Sequence, residues 1–295
     1  MPRRQITDAH HHFWDVDHGY AYPWLQDRGG GEGMLGDLAP IAVSYGPADY
    51  LADAAGYDAV KSVHIEAVPL APLAETDWLN GLGHSLPSAI VAQVRLDDPG
   101  VEAALAAQAG RPRVRGIRHI VNWHADPRYS FTPADLLQST SWQAGYALLR
   151  RHDFSFDLQL YPGQMAAAFD LIRRHPETLA VINHAGMPVD RDEAGLHAWR
   201  EGMRRLAGLD NVVAKISGLG MVEHDWSEAS IRPFVLDTIA AFGTGRTMFG
   251  SNFPVDRLYS SFDTLYGAFE RIVSDFSEAE QDRLFRTNAE RWYRI

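Results

Sequence analysis

The chain has 295 residues, 46% hydrophobic and 22% charged, an ordinary globular composition that excludes intrinsic disorder and allows a large core. Its 27 Lys and Arg against 38 Asp and Glu leave a formal net charge of −11, a poor match to a nucleic-acid backbone or an anionic membrane. It has no cysteine, which excludes disulfides, thiolate nucleophiles and Cys-ligated metal centres.

Short β-branched runs alternate with longer segments of helical spacing. Strands are predicted at 5–10, 60–65, 89–94, 114–121, 154–160, 179–183, 212–216 and 247–250. Helices are predicted between them at 48–55, 76–82, 101–109, 142–152, 164–175, 196–207 and 230–242. A capping box, Ser277 with Glu280, opens a last helix running to Arg291. Strands alternating with helices imply crossover units and a parallel sheet, and eight of them suit a closed (β/α)₈ TIM barrel over 1–295 as one domain. An open doubly wound sheet is the rival, but no Gly-rich phosphate loop follows the first strand. The start of the chain has no apolar, signal-like stretch, and no run approaches the ~18 apolar residues of a membrane span. The expectation is a cytoplasmic protein acting on a small molecule, able to form a homo-oligomer, with no nucleic-acid or membrane partner.

A long loop, 12–46, follows the first strand and holds Trp14, Tyr20, Tyr22, Trp24 and a run of glycines from Gly29 to Gly33. It would leave the strand ends where barrel active sites sit, so it reads as a mobile aromatic lid with at least one of those rings lining the pocket.

Chemistry concentrates at strand ends. In Asp8-Ala9-His10-His11-His12-Phe13-Trp14, alternation puts His10 and His12 on one side, where two imidazoles can bind one metal or grip one substrate oxygen. Asn183-His184-Ala185-Gly186 ends an apolar run with a ring aimed at the mouth. Gly250-Ser251-Asn252-Phe253-Pro254-Val255-Asp256 ends the eighth strand, with Asn252 or Asp256 facing the same mouth.

These motifs, with Lys215-Ile216-Ser217-Gly218-Leu219, occur together and in order. Together they resemble the amidohydrolase-related branch of the amidohydrolase superfamily, near the sugar-acid lactonases and the 2-pyrone-4,6-dicarboxylate lactonase. The resemblance runs from Ile6 to Tyr293. It implies a (β/α)₈ barrel that hydrolyses a lactone or similar carbonyl bond, with metal use that differs between members. The family usually carries Asp after the Gly-Ser of strand 8 as the base that activates water. Here Asn252 stands there, and an amide cannot take that proton.

A replacement is sought nearby. In Ser62-Val63-His64-Ile65-Glu66, alternation puts His64 and Glu66 on one side. Glu66 reads as a relocated carboxylate facing the histidines, as base or ligand, with Asn252 kept as a hydrogen-bond donor. The alternatives are a rim salt bridge for Glu66, and Asp256 as the base. Arg118 matches the family's Gly-x-Arg position and offers a fork for a substrate carboxylate or ring oxygen; otherwise it pairs with a loop acid. His119 would alternate outward from it. Asp157, Gln159 and Tyr161 on strand 5, and Lys215 on strand 7, read as substrate-binding groups or as polar layers inside the barrel. Trp14 reads as a binding residue in the lid.

The favoured function is hydrolysis of a lactone, with the carbonyl polarised by His10, His12 and His184. The alternative is a metal-dependent decarboxylase or another amidohydrolase-type hydrolase. It would hold one divalent metal, zinc or manganese, on His10, His12, His184 and Glu66. A catalytically inert binding barrel is the third reading.

Overall fold

A computed structural model describes residues 3–26 and 33–295. The strands are β1 (Gln5–His11), β2 (Asp58–Ile65), β3 (Ala89–Gln93), β4 (Val114–Arg118), β5 (Ser155–Leu158), β6 (Ala180–Ile182), β7 (Val212–Ile216) and β8 (Thr247–Phe249). They form one eight-stranded sheet in sequence order, and every ladder is parallel. The ends meet just beyond the last ladder. The Asn252 N–H donates to the His10 carbonyl at 2.7 Å, and the His12 N–H donates to the Phe253 carbonyl at 2.7 Å. With helices alternating around it, this is a (β/α)₈ barrel.

The helices are α1 (Pro23–Gln26), α2 (Pro47–Asp53), α3 (Pro72–Gly81), α4 (Val101–Ala109), α5 (Thr140–Tyr146) and α6 (Met165–Ile172). Then come α7 (Glu193–Ala207), α8 (Glu228–Phe242), α9 (Phe262–Ile272), α10 (Glu278–Asp282) and α11 (Asn288–Tyr293). Helix α9 is an outer helix that the sequence reading does not include. Ser261 caps it, and Phe269 stacks on Phe249 of β8 at 4.4 Å. The predicted capping box at Ser277 and Glu280 forms, and the chain then passes through one π-turn before α11.

That last segment folds back under the barrel. Asn288 donates to the Thr244 and Thr247 carbonyls, and Trp292 to the Gly245 carbonyl, all at the N-terminal end of β8. Tyr293 enters the interior from below, packed in one cluster with Ala9, Val63, Ile65, Val91, Val181 and Val213. The strands are thus buried on both faces, as parallel strands require.

The loop after β1 is built from aromatic packing. Trp14 pairs with Tyr45 through two backbone hydrogen bonds, and its ring packs edge-on against Trp24 at 5.8 Å. The glycines of the predicted lid from Gly29 to Gly31 lie outside the described residues. No helix among the described residues is long and apolar enough to cross a membrane.

Candidate active site

The C-terminal ends of the strands surround a cavity of about 410 Å³. His12, Arg118, Gln159, His184 and Asn252 line its polar part, and Trp24, Met34, Leu35, Met221 and Val255 its apolar part. That mix of apolar wall and a few polar groups is the ordinary make-up of a small-molecule site.

A one-residue bulge in β1, between Asp8 and His11, sets the histidines. Ala9 joins the barrel interior, while the His10 ring lies 5.2 Å from that of His12 and 4.4 Å from that of His184. His11 turns away and meets Ser62 at 2.8 Å. Gly250 makes room for His10, since a Cβ there would lie 2.7 Å from the His10 Cβ. Asp8 is fully buried and ties the β8 turn to β1, accepting from the Ser251 N–H (2.8 Å), the Ser251 hydroxyl (2.6 Å) and the Tyr50 hydroxyl (3.0 Å). Nothing in the sequence reading assigns Asp8 this role.

His184 sits at the start of four successive left-handed residues, His184 to Met187, with φ of 53°, 51°, 71° and 44°. Only Gly186 adopts that conformation without cost; strain of roughly 1–3 kcal/mol per non-glycine residue is typical of functional turns. The His184 Nδ1 meets the Ser217 hydroxyl at 3.0 Å. Burial pushes the pKa of His10, His12 and His184 well down, and their neighbours' positive charges add to it, so all three rings stay neutral at pH 7.

The tautomer of His12 is set by its surroundings. Its Nδ1 lies 2.7 Å from the Ile65 carbonyl, so a neutral ring must carry its proton there. The lone pair is then on Nε2, 3.3 Å from the Asn252 Oδ1. Asn252, itself left-handed at φ 58°, donates from Nδ2 to Asp256 Oδ1 at 2.9 Å. The second oxygen of Asp256 is buried and has no partner among the described residues. Burial raises that carboxyl to about 7.

Glu66 is placed differently. The Arg118 Nε donates to its Oε1 at 2.5 Å, and the Val68 N–H donates to its Oε2 at 2.7 Å. Arg118 also donates to the Glu66 carbonyl (2.6 Å) and to Gln159 Oε1 (2.9 Å). Both carboxylate oxygens are occupied, and no histidine bonds to them. Burial pushes the Glu66 carboxyl up while Arg118 pulls it down. His64 faces outward, where its Nε2 is 3.7 Å from Glu75 and its Nδ1 accepts from the Phe13 N–H.

Asp157 and Lys215 pair with each other below the cavity at 2.5 Å, both fully buried. Asn183 and the Tyr293 hydroxyl also donate to Asp157. Neither Asp157 nor Lys215 lines the cavity. Tyr161 gives its hydroxyl proton to the Tyr129 carbonyl at 2.7 Å. Trp14 stacks behind His12 at 6.3 Å with its Nε1 on the Val43 carbonyl, so the loop aromatic at the cavity is Trp24.

The amidohydrolase family model matches residues 7–295. The chain belongs to the amidohydrolase family. It is 40% identical over 295 residues to the uncharacterized protein y4mH of Sinorhizobium fredii, covering 98% of each chain. It is 30% identical to an L-fucono-1,5-lactonase of Burkholderia multivorans, covering 98% of this chain and 95% of that one. Among solved structures, an amidohydrolase from Burkholderia multivorans with bound HEPES superposes with a TM-score of 0.82 at 27% identity, over 99% of each chain. A second structure of an amidohydrolase from that organism holds zinc (TM-score 0.81).

The donors present in this amidohydrolase do not fit a resident divalent ion. Among the described residues no three His, Asp or Glu side chains converge as a metal site. The His12 Nδ1–H donates to Ile65 and leaves Nε2 free, but Glu66 is held by Arg118 and Asn252 stands where the family usually has a strand-8 carboxylate, so neither position supplies a carboxylate to the histidines. Among the described buried histidines, only His10 keeps both ring nitrogens without a partner.

Gln93, which no sequence expectation covers, lines the cavity, and so does His119, which alternation predicts to point outward from Arg118. Gln93 could be found by alternation, as the polar residue two positions after Val91, itself inside the barrel. His119 could not, because β4 ends at Arg118 and alternation stops with it.

Proposed function

We propose that this protein hydrolyses a lactone by direct attack of water on the ring carbonyl, with His12 as the base. The observation that carries this is the line His12–Asn252–Asp256 at the wall of the cavity. The His12 Nε2 lone pair and the Asn252 Oδ1 are two acceptors side by side, and such a pair attracts the O–H of a water molecule. As the water oxygen bonds to the carbonyl carbon, its proton passes to Nε2. The new imidazolium then donates to Asn252 Oδ1, while the Nδ2 of the same amide donates to Asp256. The amide cannot take the proton, but it links the cation on His12 to the carboxylate behind it. This reading gives Asn252 a use in the position where the family usually has Asp.

Arg118 stabilises the negative charge that builds on the carbonyl oxygen, and Glu66 holds the guanidinium in place for it. Collapse of the tetrahedral intermediate breaks the ring C–O bond. The leaving ring oxygen takes its proton back from His12, and the product is the open hydroxy acid. His184 lines the cavity beside this centre, and the buried His10 ring packs behind it against both His12 and His184. No step in this sequence passes through a metal.

The L-fucono-1,5-lactonase similarity supports a sugar-acid lactone as substrate. The test is hydrolysis of L-fucono-1,5-lactone and of 2-pyrone-4,6-dicarboxylate by the purified protein, followed by proton release. Turnover of the sugar lactone supports the reading. Turnover of neither lactone, or a reaction that releases carbon dioxide instead, overturns it.

A further inference from the structure

His119 carries a device that the reaction above does not use. Two N–H groups point at the same atom of its ring: the Leu96 amide donates to Nδ1 at 3.2 Å, and the Trp142 indole donates to it at 3.1 Å. A nitrogen that accepts two hydrogen bonds carries no proton, so the ring proton of the neutral form is on Nε2. Among the described residues Nε2 has no partner, and the ring lines the cavity. Burial, with Arg95 nearby and against the pull of Asp97, lowers the pKa to about 4, so the ring stays neutral at pH 7.

The packing that brings the two donors together is specific. Helix α5 lies directly on the Leu96 backbone, and Gly145 is what allows it: a Cβ there would lie 2.0 Å from the Leu96 carbonyl oxygen. Trp142 is one turn earlier on the same helix face and fully buried, so its indole reaches the same ring as the Leu96 amide.

We propose that His119 is a fixed, neutral hydrogen-bond donor for a hydroxyl group of the substrate, with Trp142 as its positioning residue. The charges around it support a hydroxyl over a carboxylate. Arg118 is paired with Glu66, and Arg95 with Asp97 at 3.2 Å, so neither cation at the cavity is left without a counter-charge. Gln93 and Gln159, beside them, are neutral. The inference rests on the lactonase reading and narrows it to lactones that carry ring hydroxyls.

The test compares L-fucono-1,5-lactone with δ-valerolactone, the same ring size without hydroxyls. His119→Asn keeps an acceptor towards Leu96 and Trp142 but withdraws the outer N–H. It should raise KM for the hydroxylated lactone about tenfold, the size of one lost hydrogen bond, and change kcat by less than about threefold. For δ-valerolactone kcat/KM should stay within about threefold of the parent. His119→Gln, which extends an N–H to the former Nε2 position, should recover part of the loss. Equal losses on both lactones overturn the proposal. The tautomer is read separately from turnover by ¹⁵N–¹H correlation of the folded protein. A proton on Nδ1 overturns the inference whatever the kinetics, and a bare Nδ1 that gains a proton in Trp142→Phe supports the positioning role. If neither lactone is cleaved, the lactonase reading fails by itself. Binding of L-fucono-1,5-lactone then decides: weaker binding to His119→Asn than to the parent upholds the donor, and equal binding removes it.

Discussion

Two neighbouring layers of the barrel hold similar residues in opposite states. Just beneath the mouth, both oxygens of Asp157 are bonded, by Lys215, Asn183 and the Tyr293 hydroxyl, and the C-terminal segment seals the layer from below. At the mouth, Asp256 keeps an oxygen without a partner, and both ring nitrogens of His10 stand alone. A buried polar group that is fully bonded contributes to the fold, whereas one left unpaired costs stability and persists where chemistry uses it. By that measure a carboxylate–lysine pair and a carboxylate–amide–imidazole line, both inside one barrel, do different work.

The contrast can be broken by substitution. The largest effect is expected at the mouth: His12→Gln should lower kcat by about 10²–10⁴-fold, the usual size of a general-base contribution, with little change in thermal midpoint. In the layer beneath it the reverse holds. Lys215→Ala leaves Asp157 buried without its counter-charge and should cost about 3–5 kcal/mol of stability in denaturant unfolding. A Lys215 variant that folds as well as the parent but has lost turnover would move the pair from structure to chemistry.

Glu66→Gln is expected to act through Arg118. A weaker hold on the guanidinium should reduce kcat/KM by roughly tenfold, about the cost of weakening one charge-assisted hydrogen bond. A loss as large as that of His12→Gln would return Glu66 to the role of base. The smallest expected effect is none: exhaustive dialysis against a chelator should leave turnover of L-fucono-1,5-lactone unchanged. Loss of activity on chelation, restored by zinc, would contradict the reading of the donor set.

The barrel was legible because each strand is a short apolar run bounded by helical spacing, and the eight expected strands appear within a few residues of their predicted ends. The histidines at the mouth were legible for the same reason, since a motif at a strand end has only one place to go. Partner choice was not. Glu66 and Arg118 are 52 positions apart, and nothing local distinguishes an Arg118 that holds Glu66 from one that waits for a substrate carboxylate. Asp157 and Tyr293 are 136 positions apart and meet only because the chain returns under the barrel. Trp14 and Trp24 look alike in the sequence, and the pairing of Trp14 with Tyr45 decides which ring reaches the cavity.

The measurement that tests the central claim most directly is the pH dependence of kcat/KM on L-fucono-1,5-lactone for the parent and for Asp256→Asn. Burial raises the Asp256 carboxyl to about 7, and only its ionised form stabilises the imidazolium on His12. Activity of the parent should therefore climb as pH rises through about 7. Because the His12 ring is held neutral well below that range, no second limb from it should appear. Asp256→Asn should lower kcat by roughly 10–100-fold and reduce the limb to the part that Glu66, also raised to about 7 by burial, contributes through Arg118. A variant that keeps both the rate and the limb near pH 7 would contradict the account.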